Sequence, residues 1–336
     1  MSILVNKPGM FTSIQDTGRW GFQSLGVSVT GAMDPSALRL ANCVVGNPLN
    51  TACLEVTLSG PSLVFEEAAC IAVSGAFLNP HIDEQAIQNN CAYIIQAGQT
   101  LSFKPSSQCT GARAYIAVHG GFKSELVMGS QSTDYRVGIG GILGRALQKE
   151  DRLHLNGYFS AESLELILSH LHKRKIYLSS GLGIQTRKTI RIIRGAHFQH
   201  FTMASREALV DAEFAITPQS DRMGYRLQGP ALELEQALQL RSEPMAFGTI
   251  QVPADGQAIA LMADRQSIGG YPKIANIIQT DLSYLAQHLP GQKIQFSLCT
   301  VEQAQQLWAE RLEKFTQLSQ QVQETSVMLK EHFVAY

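Results

Sequence analysis

The segment after residue 261 carries side chains that could bind and convert a small molecule. Asp264, Arg265 and Gln266 follow an apolar run, and Tyr271 and Lys273 come shortly afterwards, behind two glycines. A guanidinium or ammonium group can hold a small carboxylate or amide, while a carboxylate can orient water or act as a base. We therefore interpret this segment as a candidate site, with an interface loop or an internal ion pair as the alternative.

A glycine- and serine-rich stretch in the first half of the chain could bind an anion. It runs from Met128 to Arg136 and includes Thr133. Backbone amides in such a loop can form an anion nest, to which Arg136 could add charge. A glycine-rich hairpin between two strands would explain the same residues without any ligand.

A polar loop near the N-terminus contains Asp16 and Arg19 and leads towards Asp34. Asp34 precedes a proline and an amphipathic run, so the N-cap of a helix explains it. Asp16 and Arg19 have no such assignment. An acid–base pair in a loop is usually structural, and the alternative is that both residues belong to an interface.

Common catalytic motifs are missing from the sequence. It has no GxxxxGK[ST] loop, no HExxH and no GxSxG, and residues 138–144 fail the dinucleotide-binding pattern at its last glycine. No pair of histidines has zinc-ligand spacing on a plausible helix, so we expect no metal site. Any chemistry must therefore come from a less common arrangement.

The composition excludes several classes of protein. The chain has 336 residues, 27 Lys and Arg against 28 Asp and Glu, and a net charge of −1. Nucleic-acid binding needs a clustered excess of basic residues, so we expect none. No apolar run is long enough for a membrane span, and the start of the chain does not read as a signal peptide. The six cysteines have no paired spacing, which indicates reduced thiols and a cytoplasmic location.

Short β-like runs dominate the chain and must position these candidates. They are apolar or alternating and are bounded by turn residues, which favours sheets or barrels over βαβ units. The runs lie at residues 54–58, 62–65, 70–73, 93–96, 101–103, 115–118, 190–193, 225–227, 259–262 and 294–296. Helices are predicted at 34–42 and from 301 to about 324, with a third at 163–174.

A weak internal repeat suggests two related β-modules. The string GPSL at residues 60–63 recurs as GPAL at 229–232, and GQTLSF at 98–103 recurs as GQKIQF at 291–296. The order is the same, although chance similarity of common turns is the alternative. We predict domains at 1–155 and 156–300, followed by a helical tail at 301–336.

Five strings together resemble the 5-oxoprolinase C-subunit family, also known as KipA-like proteins or allophanate hydrolase subunit 2. In chain order they are GRWGFQSLGVSVTGAMDPSALRLANCVVGN, VMGSQSTDYRVGIGGILGRAL, SDRMGYRLQGP, GTIQVPADGQ and LMADRQSIGGYPKIANII. The resemblance runs from about residue 18 to about residue 296. It implies a mainly β fold with a few helices, made of two tandem cyclophilin-like β-barrel domains.

The resemblance also implies a function. The family is similar to the carboxyltransferase region of urea carboxylase, and its members open 5-oxo-L-proline to L-glutamate with ATP, as a hydrolase complex with the B and A subunits. We expect ATP to be bound with or by those partners. The chain lacks a biotin-acceptor Met-Lys-Met, so no biotin is attached covalently here. Two alternatives stay open: a carboxyltransferase component using biotin carried on another chain, and a non-catalytic regulator that binds a kinase-inhibitor-like partner.

The matching motifs select the candidate residues. We predict that Asp264, Arg265, Gln266, Tyr271 and Lys273 are catalytic. Substrate binding is predicted for a second set, which comprises Ser220, Asp221, Arg222, Gln251, Thr133 and Arg136. Asp16 and Arg19 are possible interface residues. The substrate is expected to be a small molecule, and the chain is expected to be active only with its partner subunits. The motifs by themselves do not separate catalytic from interface roles.

Overall fold

The computed structural model describes residues 2–157, 160–173 and 187–332. These residues divide into two compact units. The first unit contains residues 2–18, 34–157, 160–173 and 312–332. The second unit contains Arg19–Met33 and residues 187–311.

The first unit consists of two sheets around one hydrophobic core. The sheets have the strand orders β11-β1-β4-β9-β6-β7 and β2-β3-β10-β5-β8. Alternate residues of both sheets point inwards, as the two-residue period of a strand requires, and the fully buried Ile3, Leu63, Leu54, Val73 and Ile116 belong to this core. Its strands are β1 (Ser2–Lys7), β2 (Phe11–Gln15), β3 (Cys53–Thr57), β4 (Ser62–Phe65), β5 (Ala69–Phe77), β6 (Pro80–Ile82), β7 (Gln85–Ala86), β8 (Ala92–Ile95), β9 (Thr100–Phe103), β10 (Thr110–Val118) and β11 (Arg152–His154).

Two helices accompany these sheets, α1 (Pro35–Val44) and α2 (Ala161–Lys173). The Asp34 carboxylate caps α1 by accepting hydrogen bonds from the N–H groups of Ser36 (3.1 Å) and Ala37 (3.0 Å). Pro35 occupies the first helical position, where its missing N–H leaves no bond unmade. The helix predicted at 34–42 is therefore confirmed, together with its cap.

The second unit is a closed barrel with the strand order β12-β19-β16-β17-β14-β13-β20. Its core includes the fully buried Ile190, Phe214, Ile250 and Ile294. A separate two-stranded ladder, β15–β18, belongs to the same unit. The strands are β12 (Thr189–Arg194), β13 (Glu213–Ile216), β14 (Gly224–Gln228), β15 (Glu243–Pro244), β16 (Thr249–Gln251), β17 (Ile259–Leu261), β18 (Ile268–Gly269), β19 (Lys273–Ile277) and β20 (Lys293–Leu298).

Three further helices follow in the chain, α3 (Met203–Asp211), α4 (Gln279–Ala286) and α5 (Val301–His332). The sequence predicted α5 and missed α3 and α4. Helix α4 begins after Ile278 without a side-chain cap, and α3 has only the short signal of Thr202 accepting from the Ser205 N–H. No helix among the described residues is long and apolar enough to cross a membrane.

The two Gly-Gln turns of the internal repeat have the same local structure. Gly98 and Gly291 both have positive φ angles, of 82° and 86°. The side-chain oxygens of Gln99 and Gln292 each accept a 2.8 Å hydrogen bond from the backbone N–H three residues earlier. This equivalence supports the repeat.

The predicted fold, mainly β with a few helices and two β-rich units in tandem, is confirmed in the structure. The first has two separate sheets around its core, while the second closes completely. The domain limits at 155 and 300 stay a prediction.

Candidate functional site

A shift in strand register places Lys273 opposite Gln251. Ile250 of β16 pairs with Ala275 of β19, whereas Gln251 pairs with Lys273, so Ile274 is an extra residue on β19. Opposed residues of an antiparallel pair present their side chains on one face, and bulges of this kind redirect side chains. The irregularity therefore gives Gln251 a basic neighbour where a regular ladder would give it an isoleucine.

The Lys273 ammonium group is held by acceptors from β15. It lies 2.6 Å from the Glu243 carboxylate and donates a 3.1 Å hydrogen bond to the Pro244 carbonyl. The hydrogen bond and charge of Lys273 hold the pKa of Glu243 below its usual range. His197 completes the group, since its Nδ1 accepts the Lys273 backbone N–H at 3.1 Å. Burial lowers the pKa of His197, so its ring is neutral at pH 7.

Arg265 is a buried cation whose hydrogen bonds within the described residues are all long and all to carbonyl groups. Its Nε donates to Met245 O at 3.3 Å, and its Nη1 donates to Met262 O at 3.5 Å and Ala263 O at 3.4 Å. The guanidinium also lies 5.6 Å from the centre of the Phe247 ring. Burial lowers the pKa of Arg265 to about 10, with Asp264 opposing the shift, so the group stays charged at pH 7.

Arg265 and Lys273 bind consecutive carbonyl groups, those of Met245 and Pro244. The two cations therefore lie around the same short piece of backbone. Gln251 is only 5% exposed, and its side-chain oxygen is buried without a hydrogen-bond partner among the described residues. We call Arg265, Lys273, Gln251, Glu243 and His197 the cationic cluster. It offers unused hydrogen-bonding capacity next to positive charge, which suits a small ligand with an amide and a carboxylate.

Asp264 lies beside Arg265 in the sequence but has a different partner. Its two oxygens accept hydrogen bonds from Arg222 Nε and Nη2, both 2.8 Å long. Arg222 Nη2 also donates to the Gly31 carbonyl at 2.7 Å. The Arg222 and Asp264 side chains are 4% and 2% exposed. The internal ion pair considered from the sequence is therefore present for Asp264, and this geometry favours a positioning role over that of a base.

Ser220 and Asp221 shape the turn that leads into β14. The Ser220 hydroxyl accepts the Arg226 N–H at 3.1 Å. Asp221 Oδ1 accepts the N–H groups of Met223 at 2.8 Å and Gly224 at 3.2 Å. Both side chains thus stabilise the turn, and their assignment to substrate binding stays a prediction.

Gln266 and Tyr271 flank β18 in the same unit. Gln266 is partly buried, and a Cβ atom on Gly269 would lie 3.3 Å from its Nε2. Tyr271 is exposed. Their catalytic assignment also stays a prediction.

In the first unit, Asp16 organises the glycine- and serine-rich loop. Its carboxylate accepts hydrogen bonds from the hydroxyls of Ser130 (2.7 Å) and Ser132 (2.5 Å) and from the backbone N–H of Gln131 (2.7 Å). Thr133 is fixed in turn, because its hydroxyl donates to the Ile14 carbonyl at 3.0 Å. The carboxylate thus anchors a loop that the sequence singled out for anion binding.

Arg136 and Arg19 differ in exposure. The Arg136 side chain is exposed, with its guanidinium 5.8 Å from the centre of the Tyr135 ring. Arg19 belongs to the second unit, is fully buried and donates to the Thr30 hydroxyl at 3.1 Å. The interface role suggested for Asp16 and Arg19 stays a prediction, as does substrate binding by Thr133 and Arg136.

Glu243, His197 and Phe247 are not among the site residues that the sequence predicted. A partly buried lysine needs a counter-charge, so an acidic partner for Lys273 was to be expected in principle. Nothing in the spacing selects Glu243 for that role, since the ladder β15–β18 joins segments on either side of β16 and β17. His197 and Phe247 carry no local signal.

Comparisons with known proteins agree with this architecture. Residues 25–298 match the family model described as carboxyltransferase domain, subdomain A and B. The chain is 39% identical to the C subunit of 5-oxoprolinase from Escherichia coli K12, over 93% of this chain and 96% of the relative. It is also 39% identical to the C subunit of 5-oxoprolinase from Haemophilus influenzae, over 88% of this chain and 90% of the relative.

A solved structure extends the similarity. The Kluyveromyces lactis urea amidolyase superposes with a TM-score of 0.83 at 28% identity, over 94% of this chain but only 20% of that one. This chain thus spans about a fifth of that larger enzyme. The fold is that of the carboxyltransferase domain. The chain belongs to the 5-oxoprolinase C-subunit family.

Proposed function

We propose that this chain is a subunit of an ATP-dependent 5-oxoprolinase complex, a hydrolase that opens 5-oxo-L-proline to L-glutamate. Its similarity to two relatives named as the C subunit of 5-oxoprolinase, over 96% and 90% of their lengths, supports this assignment. The main support for this site is Arg265, a buried cation with no hydrogen-bonded carboxylate among the described residues. The same unit contains the Gln251 side-chain oxygen, which is buried without a hydrogen-bond partner among the described residues.

5-Oxoproline has a carboxylate and a lactam N–H, which complement the hydrogen-bonding groups of this site that have no partner among the described residues. 5-Oxoproline carries a carboxylate, which Arg265 binds through Nη2, the guanidinium nitrogen that makes no hydrogen bond among the described residues. Its lactam N–H donates to the Gln251 side-chain oxygen. Lys273, opposite Gln251, stabilises the negative charge of the phosphoryl group that ATP transfers to the lactam oxygen.

ATP supplies the activation that a lactam needs. The lactam carbon is a poor electrophile, so the γ-phosphoryl group of ATP is transferred to the lactam oxygen, which releases ADP. Water then attacks the carbon and the C–N bond breaks. Hydrolysis of the acyl phosphate that remains gives glutamate and phosphate. We assign nucleotide binding to the companion B and A subunits. This chain then binds and orients the lactam and stabilises charge, while the Arg222–Asp264 pair fixes the backbone before Arg265.

A second function is favoured by the family match. The carboxyltransferase domain model and the similarity to urea amidolyase suit a component that moves a carboxyl group carried by biotin on another chain. In that case the cationic cluster would hold the carboxyl group. Binding of a biotinylated carrier protein, with no ATP-dependent release of glutamate, would favour this alternative.

The test is glutamate release from 5-oxoproline by the assembled complex with wild type or with Arg265→Met. Methionine keeps an apolar stem and removes the charge. We expect kcat/KM to fall by about 100-fold or more, as for loss of a key charge-stabilising donor, with assembly unchanged. Arg226→Met is the matched control, because Arg226 is an exposed arginine of the same unit. Loss of assembly with Arg265→Met would move the residue from substrate binding to the interface.

A further inference from the structure

His197 binds both backbone groups of Lys273. Its own backbone N–H donates to the Lys273 carbonyl at 3.0 Å, and its ring Nδ1 accepts the Lys273 N–H at 3.1 Å. Two opposed residues of an antiparallel ladder exchange a similar pair of hydrogen bonds, but through backbone groups alone. Here a side chain supplies one of the two acceptors. His197 thus acts as a strand partner of Lys273 although it lies outside the strands.

This contact lies where the ladder between β12 and β19 ends. The last paired residues are Arg194 and Ala275, and beyond them the Gly195 N–H donates to the Ile274 carbonyl at 2.9 Å. A Cβ atom on Gly195 would lie 2.4 Å from the Lys273 carbonyl oxygen, so a larger residue would push the two segments apart. The close approach brings the chain after β12 against the irregular part of β19, where Ile274 is the extra residue.

The hydrogen bonds determine which ring nitrogen carries the proton. Because Nδ1 of His197 accepts the Lys273 N–H, the neutral ring has its proton on Nε2. Nε2 lies 4.0 Å from one oxygen of Glu243, whose other oxygen lies 2.6 Å from the Lys273 ammonium group. The imidazole and the carboxylate therefore connect the backbone of Lys273 to the end of its own side chain.

A protonated ring could not make the contact with the Lys273 backbone. Imidazolium carries a proton on both nitrogens, so Nδ1 would then meet the Lys273 N–H with a proton of its own. His197 is 8% exposed, and burial is the main reason that its pKa is lowered. Of the charged groups that face the ring, Glu243 raises this pKa, while Lys273 and His200 lower it. The ring is thus able to accept at neutral pH and loses this ability in acid.

The contact acts on the residue whose charge the proposed reaction uses. Lys273 faces Gln251 across the irregular strand pair. A lysine side chain is flexible, so the place of its ammonium group depends on how the backbone is held and on the acceptors around the group. His197 provides the first constraint directly. It contributes to the second because its Nε2–H faces Glu243, the carboxylate that binds the ammonium group.

We propose that His197 is a positioning residue for the reaction, which holds the Lys273 backbone through Nδ1 and orients Glu243 and the ammonium group through Nε2. This inference rests on the proposed function. His197 itself contacts no substrate and neither gives nor takes a proton in the reaction. Its contribution is to keep Lys273 where the transferred phosphoryl group needs a positive charge.

The test compares ATP-dependent glutamate release by assembled complexes that contain wild type, His197→Leu or His197→Asn. Leucine removes the ring acceptor, and we expect kcat to fall about 10-fold or more, because a small misplacement of a charge-stabilising group is costly. KM for 5-oxoproline should stay within about twofold, since Arg265 and Gln251 bind the substrate. Asparagine keeps an acceptor oxygen near the position of Nδ1, so kcat of His197→Asn should lie within about threefold of wild type.

The pH profile of kcat separates positioning from a general structural role. The pKa of His197 is lowered from 6.5, so kcat of wild type should decrease below that pH as the ring becomes protonated and releases Lys273. His197→Asn has no titrating group at this position and should lose less activity over the same range. His288→Leu is the matched control, because His288 is another buried histidine of the second unit, and its Nδ1 donates to the Tyr284 carbonyl at 2.9 Å. It should keep the kcat and the pH profile of wild type.

Nitrogen-15 NMR of the isolated full chain, labelled in its histidines, reads the protonation of the ring without any partner. We expect Nδ1 of His197 to be unprotonated and Nε2 to be protonated at pH 7. A proton on Nδ1 at this pH overturns the inference, whatever the activity. If His197→Leu does not assemble, His197→Asn decides, and an acidic decrease in kcat as large as that of wild type overturns the inference.

The outcomes distinguish the positioning role from the proposed function. An unchanged kcat of His197→Leu in an assembled and active complex overturns the positioning role and leaves the proposed function intact. An equal loss of kcat in His288→Leu does the same, because any buried histidine would then have the effect. Absence of turnover in an assembled wild-type complex instead overturns the proposed function, and the positioning role with it.

Discussion

Arg222 and Asp264 form a buried ion pair in which two hydrogen bonds of 2.8 Å join the guanidinium to both carboxylate oxygens. The backbone reinforces the pair, because the Asp264 N–H donates to the Arg222 carbonyl at 2.8 Å. A carboxylate held in this way is poorly placed to take a proton from water. Its effect on activity should come through Arg265, the next residue.

Asp264→Asn tests this positioning role. The change leaves the Arg222 guanidinium buried without its counter-charge, and we expect the free energy of unfolding to fall by about 3 kcal/mol. Urea denaturation measures the change. The double variant Arg222→Met/Asp264→Asn should be less destabilised than the sum of the single variants. Full stability of Asp264→Asn, together with lost activity, would instead indicate a catalytic base.

Gln251→Leu separates function from stability. The Gln251 oxygen is buried without a partner among the described residues, so an apolar side chain of similar size should leave stability unchanged or raise it by about 1 kcal/mol. In the assembled complex, kcat/KM should fall because the lactam N–H loses its acceptor. Thermal unfolding and glutamate release measure the two effects. A variant that is both destabilised and fully active would contradict the assignment.

Low pH should destabilise the protein through its buried histidines. Burial lowers the pKa of His197, His119 and His288 in the folded protein, whereas the unfolded chain binds these protons near pH 6.5. The unfolded state therefore takes up protons first as pH falls, and the free energy of unfolding decreases below about pH 6.5. Around His197, Glu243 opposes the shift, while Lys273 and His200 add to it.

Urea titrations at pH 5.5 and 7.5 measure this dependence. His197→Gln removes one of the three groups, so the difference in stability between the two pH values should shrink. If the difference in stability between the two pH values is the same in His197→Gln and wild type, His197 does not contribute to the pH dependence.

The two Gly-Gln turns should respond alike to substitution. A Cβ atom on Gly98 or Gly291 meets nothing within 4 Å, so an alanine there suffers only from the positive φ. We expect each change to lower the free energy of unfolding by about 1 kcal/mol. At Gly141 a Cβ atom would lie 1.9 Å from the Thr133 hydroxyl oxygen, so Gly141→Ala should cost more. Chemical denaturation distinguishes the three.

Local signals in the sequence were sufficient for much of the fold. The Asp34-Pro35 pair predicted the start of α1, and turn-bounded apolar runs predicted strands such as β4 and β17. Helices α3 and α4 were not predicted because they are short and because α4 has no capping side chain. These are the elements in which packing, rather than local preference, decides the structure.

The candidate site was only partly predictable for a different reason. Residue types identified Arg265 and Lys273 as cations worth attention. The contacts around these residues depend on long-range pairing. Asp264 binds Arg222, which is 42 positions away in the sequence, and Lys273 faces Gln251 because of an irregularity in a strand pair. Such contacts follow from the register of the closed barrel, which no short stretch of sequence contains.

The most direct measurement is ATP-dependent release of glutamate from 5-oxoproline by the chain mixed with its companion subunits, comparing wild type with Arg265→Met and Arg226→Met. We expect turnover for wild type and Arg226→Met, and an assembled but nearly inactive complex for Arg265→Met. Equal turnover by all three complexes would contradict the assignment of Arg265 to the substrate carboxylate. Absence of turnover in a fully assembled wild-type complex would contradict the proposed function itself.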